Sequence, residues 1–208
     1  MAKLKVLGRV TSINVRKVLW LADELGLTCE REDWGLPIRD PKVPEFLALN
    51  PNGQVPVLIE DGFVLWESSA ITRYLAGRQH SPLLPEAAHE RALVEQWLGW
   101  QATDLNSQWG YAFNALVRKT PGYDDQTRVA ASIAGWNARM AILEAQLEKT
   151  ESFAAGAAFS IADIALGLSV HRWLETPFAH PPLPHVAAYY ERLCERPAGK
   201  PYLTGQTP

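Results

Sequence analysis

The feature that most constrains the fold of this chain is residues 50–75, which read NPNGQVPVLIEDGFVLWESSAITRYL. Residues 55–60 are apolar and rich in β-forming side chains, which is typical of a strand buried on both faces. Asp61-Gly62 predicts a two-residue hairpin turn, because glycine tolerates positive φ and aspartate bonds locally to the backbone. Residues 63–66 then return as an antiparallel strand. The segment therefore predicts a β-hairpin at one end of a small sheet.

A helix is expected to begin immediately after this hairpin. Glu67 and Ser68 precede an apolar-periodic run that includes Ile71 and Leu75, and a carboxylate or hydroxyl in that place marks a helix N-terminus. A helix N-terminus offers free N–H groups and a partial positive charge. This end of the helix is therefore suited to a ligand carboxylate.

The sequence NPNGQVPVL followed by WESSAITRYL resembles the glutathione-binding half of a cytosolic glutathione S-transferase. The resemblance implies that the Val55-Pro56 peptide is cis and that the backbone before it pairs with the peptide of glutathione. It also implies that Glu67 and Ser68 hold the γ-glutamyl carboxylate and amine. The alternative interpretation is an ordinary strand start followed by an ordinary helix cap.

Composition excludes several classes of function. At 208 residues, with 47% hydrophobic and 21% charged residues, the chain is typical of a globular protein with a substantial core. Its net charge of −3 gives no general attraction to nucleic acid or to acidic membrane surfaces. No apolar run approaches the length of a transmembrane helix, and MAKLKVLGRV is too short and strand-like for a signal peptide. A cytoplasmic protein is expected.

Metal and disulfide chemistry is not indicated either. Cys29 and Cys194 lie far apart in the sequence, and neither belongs to a CxxC motif. The histidines are scattered, with no HxxxH pair on one helix face. The sequence therefore predicts no metal site, and no cofactor is expected beyond glutathione as a co-substrate.

Taken in order, the chain predicts two unlike halves. Strand 3–7, helix 13–25, strand 28–34, a proline-rich loop 35–44 and the hairpin give the order β-α-β-loop-β-β-α, which is the thioredoxin-like layout. The predicted domains are residues 1–77 (thioredoxin-like, glutathione-binding), a linker at 78–86, and an all-helical domain at 87–208. Periodicity predicts helices in the second domain over residues 87–119, 125–149, 160–174 and 183–195.

Ser160 and Asp163 predict a capping box at the start of one of these helices. The Asp163 carboxylate can return to the backbone N–H of Ser160 and so satisfy a donor that the helix itself leaves unpaired. This interpretation is structural and is preferred to a catalytic role for Asp163.

A transferase of the resembled kind must hold the glutathione thiol as a thiolate. Lowering a thiol pKa by two units from about 8.5 takes about 2.7 kcal/mol of preference for the anion. In this family the activating residue lies between the first strand and the first helix, where this chain has Thr11-Ser12-Ile13-Asn14. Ser12 is predicted as the hydroxyl donor and Asn14 as its partner, and Thr11 is the alternative hydroxyl.

The same region contains neither tyrosine nor cysteine, which argues against the tyrosine-dependent classes and against enzymes that attack disulfides with their own thiolate. The resemblance is thus to bacterial theta-, phi- or nu-like members with a Ser-x-Asn arrangement. By analogy with phi-like members, Lys42 and Gln54 are predicted to hold the glycyl carboxylate. Trp109 and Phe113 could line a pocket for the second substrate, although a pair at helical spacing is more often core.

The predicted function is conjugation of the glutathione thiolate to hydrophobic electrophiles by a homodimer. Two alternatives remain open at this point. One is glutathione-dependent disulfide reduction, as in nu-like members, and the other is a non-catalytic module that binds glutathione or a protein partner.

Overall fold

The computed structural model describes residues 3–205, and their first part forms a small mixed sheet covered by helices. In chain order the elements are β1 (Leu4–Leu7), α1 (Ile13–Glu24), β2 (Cys29–Glu32), α2 (Pro44–Leu47), β3 (Val57–Glu60), β4 (Phe63–Trp66) and α3 (Ser68–Arg78). The four strands lie in the order β2-β1-β3-β4. β1 runs parallel to β2 and antiparallel to β3, and β4 pairs antiparallel with β3. This is the predicted thioredoxin-like layout.

Two strands are shorter than predicted by more than one residue. β3 begins at Val57 and not at residue 55, because Pro56 has no N–H to donate to a strand ladder. β2 ends at Glu32, after which Trp34 turns inward and its ring packs 4.8 Å from that of Phe46. This contact lies in a small core on one face of the sheet, while α1 and α3 pack together over the other face.

The second part of the described chain is helical. Its elements are α4 (Ala88–Trp100), a π-helical turn (Gln101–Leu105), α5 (Asn106–Leu116), α6 (Gln126–Thr150), α7 (Ile161–Glu175), α8 (Pro184–Cys194) and α9 (Lys200–Leu203). The helix predicted over residues 87–119 is present as α4 and α5, which are continuous through the π-helical turn and end at Leu116. Gln101, in that turn, is buried and bonds to side chains of α1 and α7.

A continuous core joins the two parts. Trp20 of α1 is fully buried and belongs to the same cluster as Leu75 of α3 and Leu166 of α7. A Cβ atom at Gly167 would lie 2.5 Å from Leu193 Cδ1 and 3.3 Å from Trp20 Cη2, so the close packing there requires glycine. Because hydrophobic packing crosses between the halves, the division at residues 77 and 87 stays a prediction.

The capping box at the start of α7 is confirmed. The Ser160 backbone N–H donates to Asp163 Oδ2 at 2.8 Å, and the Ser160 hydroxyl donates to the same oxygen at 2.9 Å. Asp163 Oδ1 accepts from the Ala154 N–H and from the Tyr189 hydroxyl, both at 3.0 Å. Asp163 is fully buried and accepts hydrogen bonds from these four donors, which fits the structural role.

Within residues 3–205, no helix combines the length and the apolar character needed to cross a membrane. In the same range, histidine, cysteine, aspartate and glutamate side chains form no group of three or more that could hold a metal ion.

Candidate functional site

Four of the predicted site residues line one cavity. Ser12, Lys42, Gln54 and Val55 surround a space of about 340 Å³ beside the start of α1, together with Arg9 and parts of the loops at residues 35–41 and 53. We call this space the Ser12 cavity. It joins three segments that are distant in sequence: the β1–α1 loop, the loop after β2, and the approach to β3.

Asn50 shapes the loop that forms one wall of the Ser12 cavity. Its side chain is buried, its Nδ2 donates to the Gln54 carbonyl at 2.8 Å, and its Oδ1 accepts from the Asn52 N–H at 3.0 Å. Gly53 has φ +58°, and a Cβ atom there would lie 2.7 Å from Lys42 Cδ. The NPNGQ sequence therefore fixes the backbone direction of Gln54 and Val55, whose peptide with Pro56 is cis, as the resemblance implied.

Lys42 lies across the same loop. Its Nζ donates to the Asn52 carbonyl at 2.7 Å, while the rest of the residue is exposed. The ammonium group is thus held at the mouth of the cavity by one hydrogen bond and has further donors to offer.

Ser12 is the N-cap residue of α1, yet its side chain makes no capping hydrogen bond. Its backbone N–H donates to the Arg9 carbonyl at 3.1 Å, which closes the turn ahead of the helix. The Thr11 hydroxyl instead accepts a hydrogen bond from Arg9 Nη1. Of these two residues, Ser12 lines the cavity and Thr11 does not.

Asn14 lies in the first turn of α1 and connects it to the start of α3. Its Oδ1 accepts a hydrogen bond of 3.3 Å from the Ser68 hydroxyl, and its role as the partner of Ser12 at the glutathione sulfur stays a prediction. Ser68 is buried. The amide therefore ties the β1–α1 region to the helix end that was predicted to receive the γ-glutamyl group.

Glu67 lies at the N-cap of α3 in an unusual conformation, with φ +72° and ψ 111°. A non-glycine residue with positive φ costs of order 1–3 kcal/mol and persists only where the surroundings enforce it, most often at functional sites. Its side chain is exposed. Glu67, Ser68 and Asn14 all lie outside the lining of the Ser12 cavity, and the Asn14–Ser68 hydrogen bond connects the start of α3 to the first turn of α1.

A buried polar network lies beneath α1. Lys17 is 3% exposed, and its Nζ donates to Gln101 Oε1 at 3.0 Å. Gln101 Nε2 in turn donates to Asn106 Oδ1 at 3.1 Å and to Ser169 Oγ at 3.0 Å. Burial lowers the pKa of Lys17 to about 8; the Arg172 cation lowers it as well, and Glu67 acts in the opposite direction.

The predicted acceptor residues lie on α5 and differ in exposure. Phe113 is 1% exposed and belongs to the interior, whereas Trp109 is half-buried and donates from Nε1 to Asn106 Oδ1 at 2.9 Å. The guanidinium carbon of Arg172 lies 4.5 Å from the Trp109 ring centre and 4.3 Å from that of Phe113. Trp109 is thus the more exposed of the two, and the Phe113 ring packs edge-on with its centre 5.5 Å away.

Arg172 is buried without an ion-pair partner among residues 3–205. It is 3% exposed, and its Nε has no hydrogen-bond acceptor. Burial lowers its pKa to about 9, and the neighbouring Arg118 and Arg16 add to this shift, so the guanidinium remains charged at neutral pH. A buried ion costs several kcal/mol, of which stacking on an aromatic face returns about 2 kcal/mol.

Sequence reasoning missed Arg9, Asn50, Lys17, Gln101 and Arg172. Asn50 lies in the NPNGQVP motif, and asparagine side chains often hydrogen-bond to nearby backbone in turns, so its role could have been predicted. The four others gave none, because arginine, lysine and glutamine in helices or loops normally face solvent.

Comparison with known proteins assigns the family. The profile described as "Glutathione S-transferase, N-terminal domain" matches residues 2–77, and that described as "Glutathione S-transferase, C-terminal domain" matches residues 106–197. The chain belongs to the glutathione S-transferase family. Among curated relatives, glutathione S-transferase GstB of Escherichia coli K12 is 36% identical over 194 residues, covering 92% of this chain and 93% of the relative. Glutathione S-transferase 3 of Zea mays is 35% identical over 211 residues, covering 95% and 92%.

A solved structure shows the same fold over the whole length. The theta-class glutathione S-transferase of Xanthomonas axonopodis pv. citri with glutathione bound aligns with a TM-score of 0.93 at 36% identity, covering 100% of both chains. Family membership confirms the resemblance, the fold class and the assignment of this enzyme as a glutathione transferase.

Proposed function

We propose that this transferase conjugates the glutathione thiolate to hydrophobic small-molecule electrophiles, with the Ser12 hydroxyl donating a hydrogen bond to the sulfur. One observation carries the proposal. The side chain of Ser12 makes no capping bond, and Ser12 lines the same cavity as Lys42, Gln54 and Val55. A preorganised donor at the N-terminus of α1 favours the anion over the thiol.

The other residues would hold glutathione along its length. Lys42 and Gln54 would bind the glycyl carboxylate, and the backbone at Val55 would pair with the peptide. Glu67 and Ser68 would bind the γ-glutamyl amine and carboxylate, with Asn14 fixing the Ser68 hydroxyl at 3.3 Å. The structure of the Xanthomonas relative with glutathione bound supports this use of the fold.

The chemical step then needs little from the protein beyond position and charge. The sulfur forms a bond to the electrophilic carbon, the leaving group departs with its bonding electron pair, and the thiol proton has already passed to solvent. Residues 87–208 would supply the acceptor side through the half-buried ring of Trp109, with Phe113 supporting it from behind.

The chain would act as a homodimer, because large apolar side chains remain exposed on β4, α4 and α6. It would act in the cytoplasm, whose reducing conditions suit Cys29 and Cys194, since both are free thiols.

The decisive experiment combines binding with two activities. Calorimetric titration with glutathione is followed by parallel assays with 1-chloro-2,4-dinitrobenzene and with 2-hydroxyethyl disulfide. We expect glutathione binding and faster turnover of the aromatic halide. Faster turnover of the disulfide would support reduction in place of conjugation, and binding without either turnover would support a non-catalytic module.

A further inference from the structure

Three arginines extend from the Ser12 cavity to the aromatic residues of α5. Arg9 lines the cavity and acts electrostatically on Arg118, which follows the end of α5. The guanidinium carbons of Arg118 and Arg172 lie 5.1 Å and 4.3 Å from the ring centre of Phe113. The series runs from the cavity, through the exposed Arg118, to the buried Arg172.

No carboxylate of the described chain neutralises these three cations. None of the ion pairs among residues 3–205 includes Arg9, Arg118 or Arg172. The charged groups that act on Arg172 are Arg118 and Arg16, both cations, and Lys17 lies close enough to feel Arg172 in turn. Arg172 Nε is buried without an acceptor.

Such an arrangement is unfavourable unless something anionic approaches it. Like charges repel, and the buried guanidinium of Arg172 has lost its hydration. Glu67 acts electrostatically on Lys17 from the start of α3. Positive charge therefore lies beside the predicted acceptor residues Trp109 and Phe113, and no ion pair of residues 3–205 neutralises it.

We propose that Arg118 and Arg172 form an anion subsite of the acceptor site, so that the preferred electrophiles are aromatic compounds bearing a carboxylate. This rests on the proposed function and narrows its substrate class. The guanidinium groups match a carboxylate with paired N–H donors, and the half-buried Trp109 next to Arg172 would supply apolar surface for the aromatic ring. Arg9 extends the positive charge to the edge of the Ser12 cavity.

The test uses a matched pair of acceptors, 4-chloro-3-nitrobenzoate and 4-chloro-3-nitrobenzamide. In both, the glutathione sulfur forms a bond to the carbon that bears chlorine, and chloride leaves with the bonding electron pair. They differ in charge and little in shape. After division by the uncatalysed rates, we expect kcat/KM to favour the benzoate by about tenfold or more, since hydrogen bonds to charged groups are worth at least that factor.

Arg118→Met and Arg172→Met should each remove most of the preference of kcat/KM for the benzoate over the benzamide. Arg118 is exposed, so its replacement tests the subsite even if Arg172→Met fails to fold. Arg128→Met is the matched control, because Arg128 is also exposed and also stacks on an α5 ring, that of Tyr111 at 4.2 Å. It should keep the preference.

Binding of unreactive analogues separates this inference from the proposed function. In the presence of S-methylglutathione, 3-nitrobenzoate should bind more tightly than 3-nitrobenzamide, and Arg118→Met should abolish the difference. If neither chloride-bearing acceptor turns over, the conjugation proposal fails while this binding difference still decides the subsite. Equal binding of the two analogues would overturn the subsite, as would a weakened Kd for glutathione in Arg118→Met, which would assign the arginines to glutathione itself.

Discussion

At the scale of single residues, the hydroxyls of Thr11 and Ser12 in the β1–α1 loop differ in their contacts. Thr11 accepts a hydrogen bond from Arg9, while the Ser12 side chain leaves the helix uncapped and lines the cavity. An N-cap serine normally gains about 1 kcal/mol by bonding to the helix. A serine that forgoes this bond is available to a ligand.

Ser12→Ala should raise the pKa of the thiol of bound glutathione and move the pH–rate profile to higher pH. Loss of one preorganised donor to an anion costs about 2.7–4 kcal/mol where water is excluded, and the Ser12 cavity is open, so we expect the lower end or less. Thiolate absorbance of the complex, followed against pH, measures the shift. Thr11→Ala is the control; if it moves the titration and Ser12→Ala does not, the assigned hydroxyl is wrong.

Lys17 predicts a pH-dependent stability. Its folded pKa, lowered to about 8 by burial, lies below its ordinary value of 10.5. Below pH 8 both folded and unfolded states carry the proton. Between about pH 8 and 10.5 the unfolded state binds more protons, so the Lys17 contribution to the free energy of unfolding rises with pH.

Urea unfolding of wild type and Lys17→Met at a fixed protein concentration should show this directly. The stability of wild type relative to the variant should increase from pH 7 to pH 10. Lys200→Met, at an exposed lysine, should show no such trend. A Lys17→Met difference that is constant over the same range would contradict the assignment.

At the scale of elements, α7 depends on its first turn. Asp163 accepts from the backbone N–H groups of Ala154 and Ser160 and from the hydroxyls of Ser160 and Tyr189. These bonds join the start of α7 to the segment before it and to α8. Because the carboxylate is buried, removing it leaves several donors without water or a partner.

Asp163→Ala should lower the free energy of unfolding by more than about 3 kcal/mol, since each buried unpaired donor costs about 1–3 kcal/mol. Ser160→Ala should cost about 1 kcal/mol, because the backbone N–H of residue 160 keeps its acceptor. Chemical denaturation monitored by tryptophan fluorescence measures both. Equal losses in the two variants would show that the hydroxyl, and not the carboxylate, organises this turn.

At the scale of the whole molecule, several large apolar side chains are exposed away from the Ser12 cavity. Phe63 and Trp66 are 47% and 37% exposed on β4, which is an edge strand, and Leu93 and Ile142 are 47% and 48% exposed on α4 and α6. Trp97 and Trp100 line a groove beside Ile142. An isologous dimer would cover such surfaces on both copies.

Light scattering at micromolar concentration should therefore give about twice the chain mass of 23.1 kDa. Ile142→Glu should shift the protein toward monomer, because a charge placed in an apolar interface must lose its hydration. Ile38→Glu is the matched control, at an isoleucine 60% exposed in the loop after β2. A monomeric wild type, or equal effects of both changes, would contradict the proposed dimer surface.

The sequence by itself determined the elements whose signals are local. The hairpin at Asp61-Gly62, the capping box at Ser160 and Asp163, and the helical half of the chain follow from turn chemistry, capping and periodicity. So does the Ser12 cavity in part, because the NPNGQVP loop uses Asn50 and Gly53 to fix its own backbone.

Only the tertiary structure decided which polar side chains are buried. Lys17, Gln101 and Arg172 are residue types that normally face solvent. They are buried because α1, the π-helical turn and α7 pack together across the two halves of the chain. The same packing gave Asn14 a partner on α3, and the π-helical turn that begins at Gln101 lies within the predicted helix. Burial of a polar side chain depends on contacts between distant segments, and no local pattern in the sequence records them.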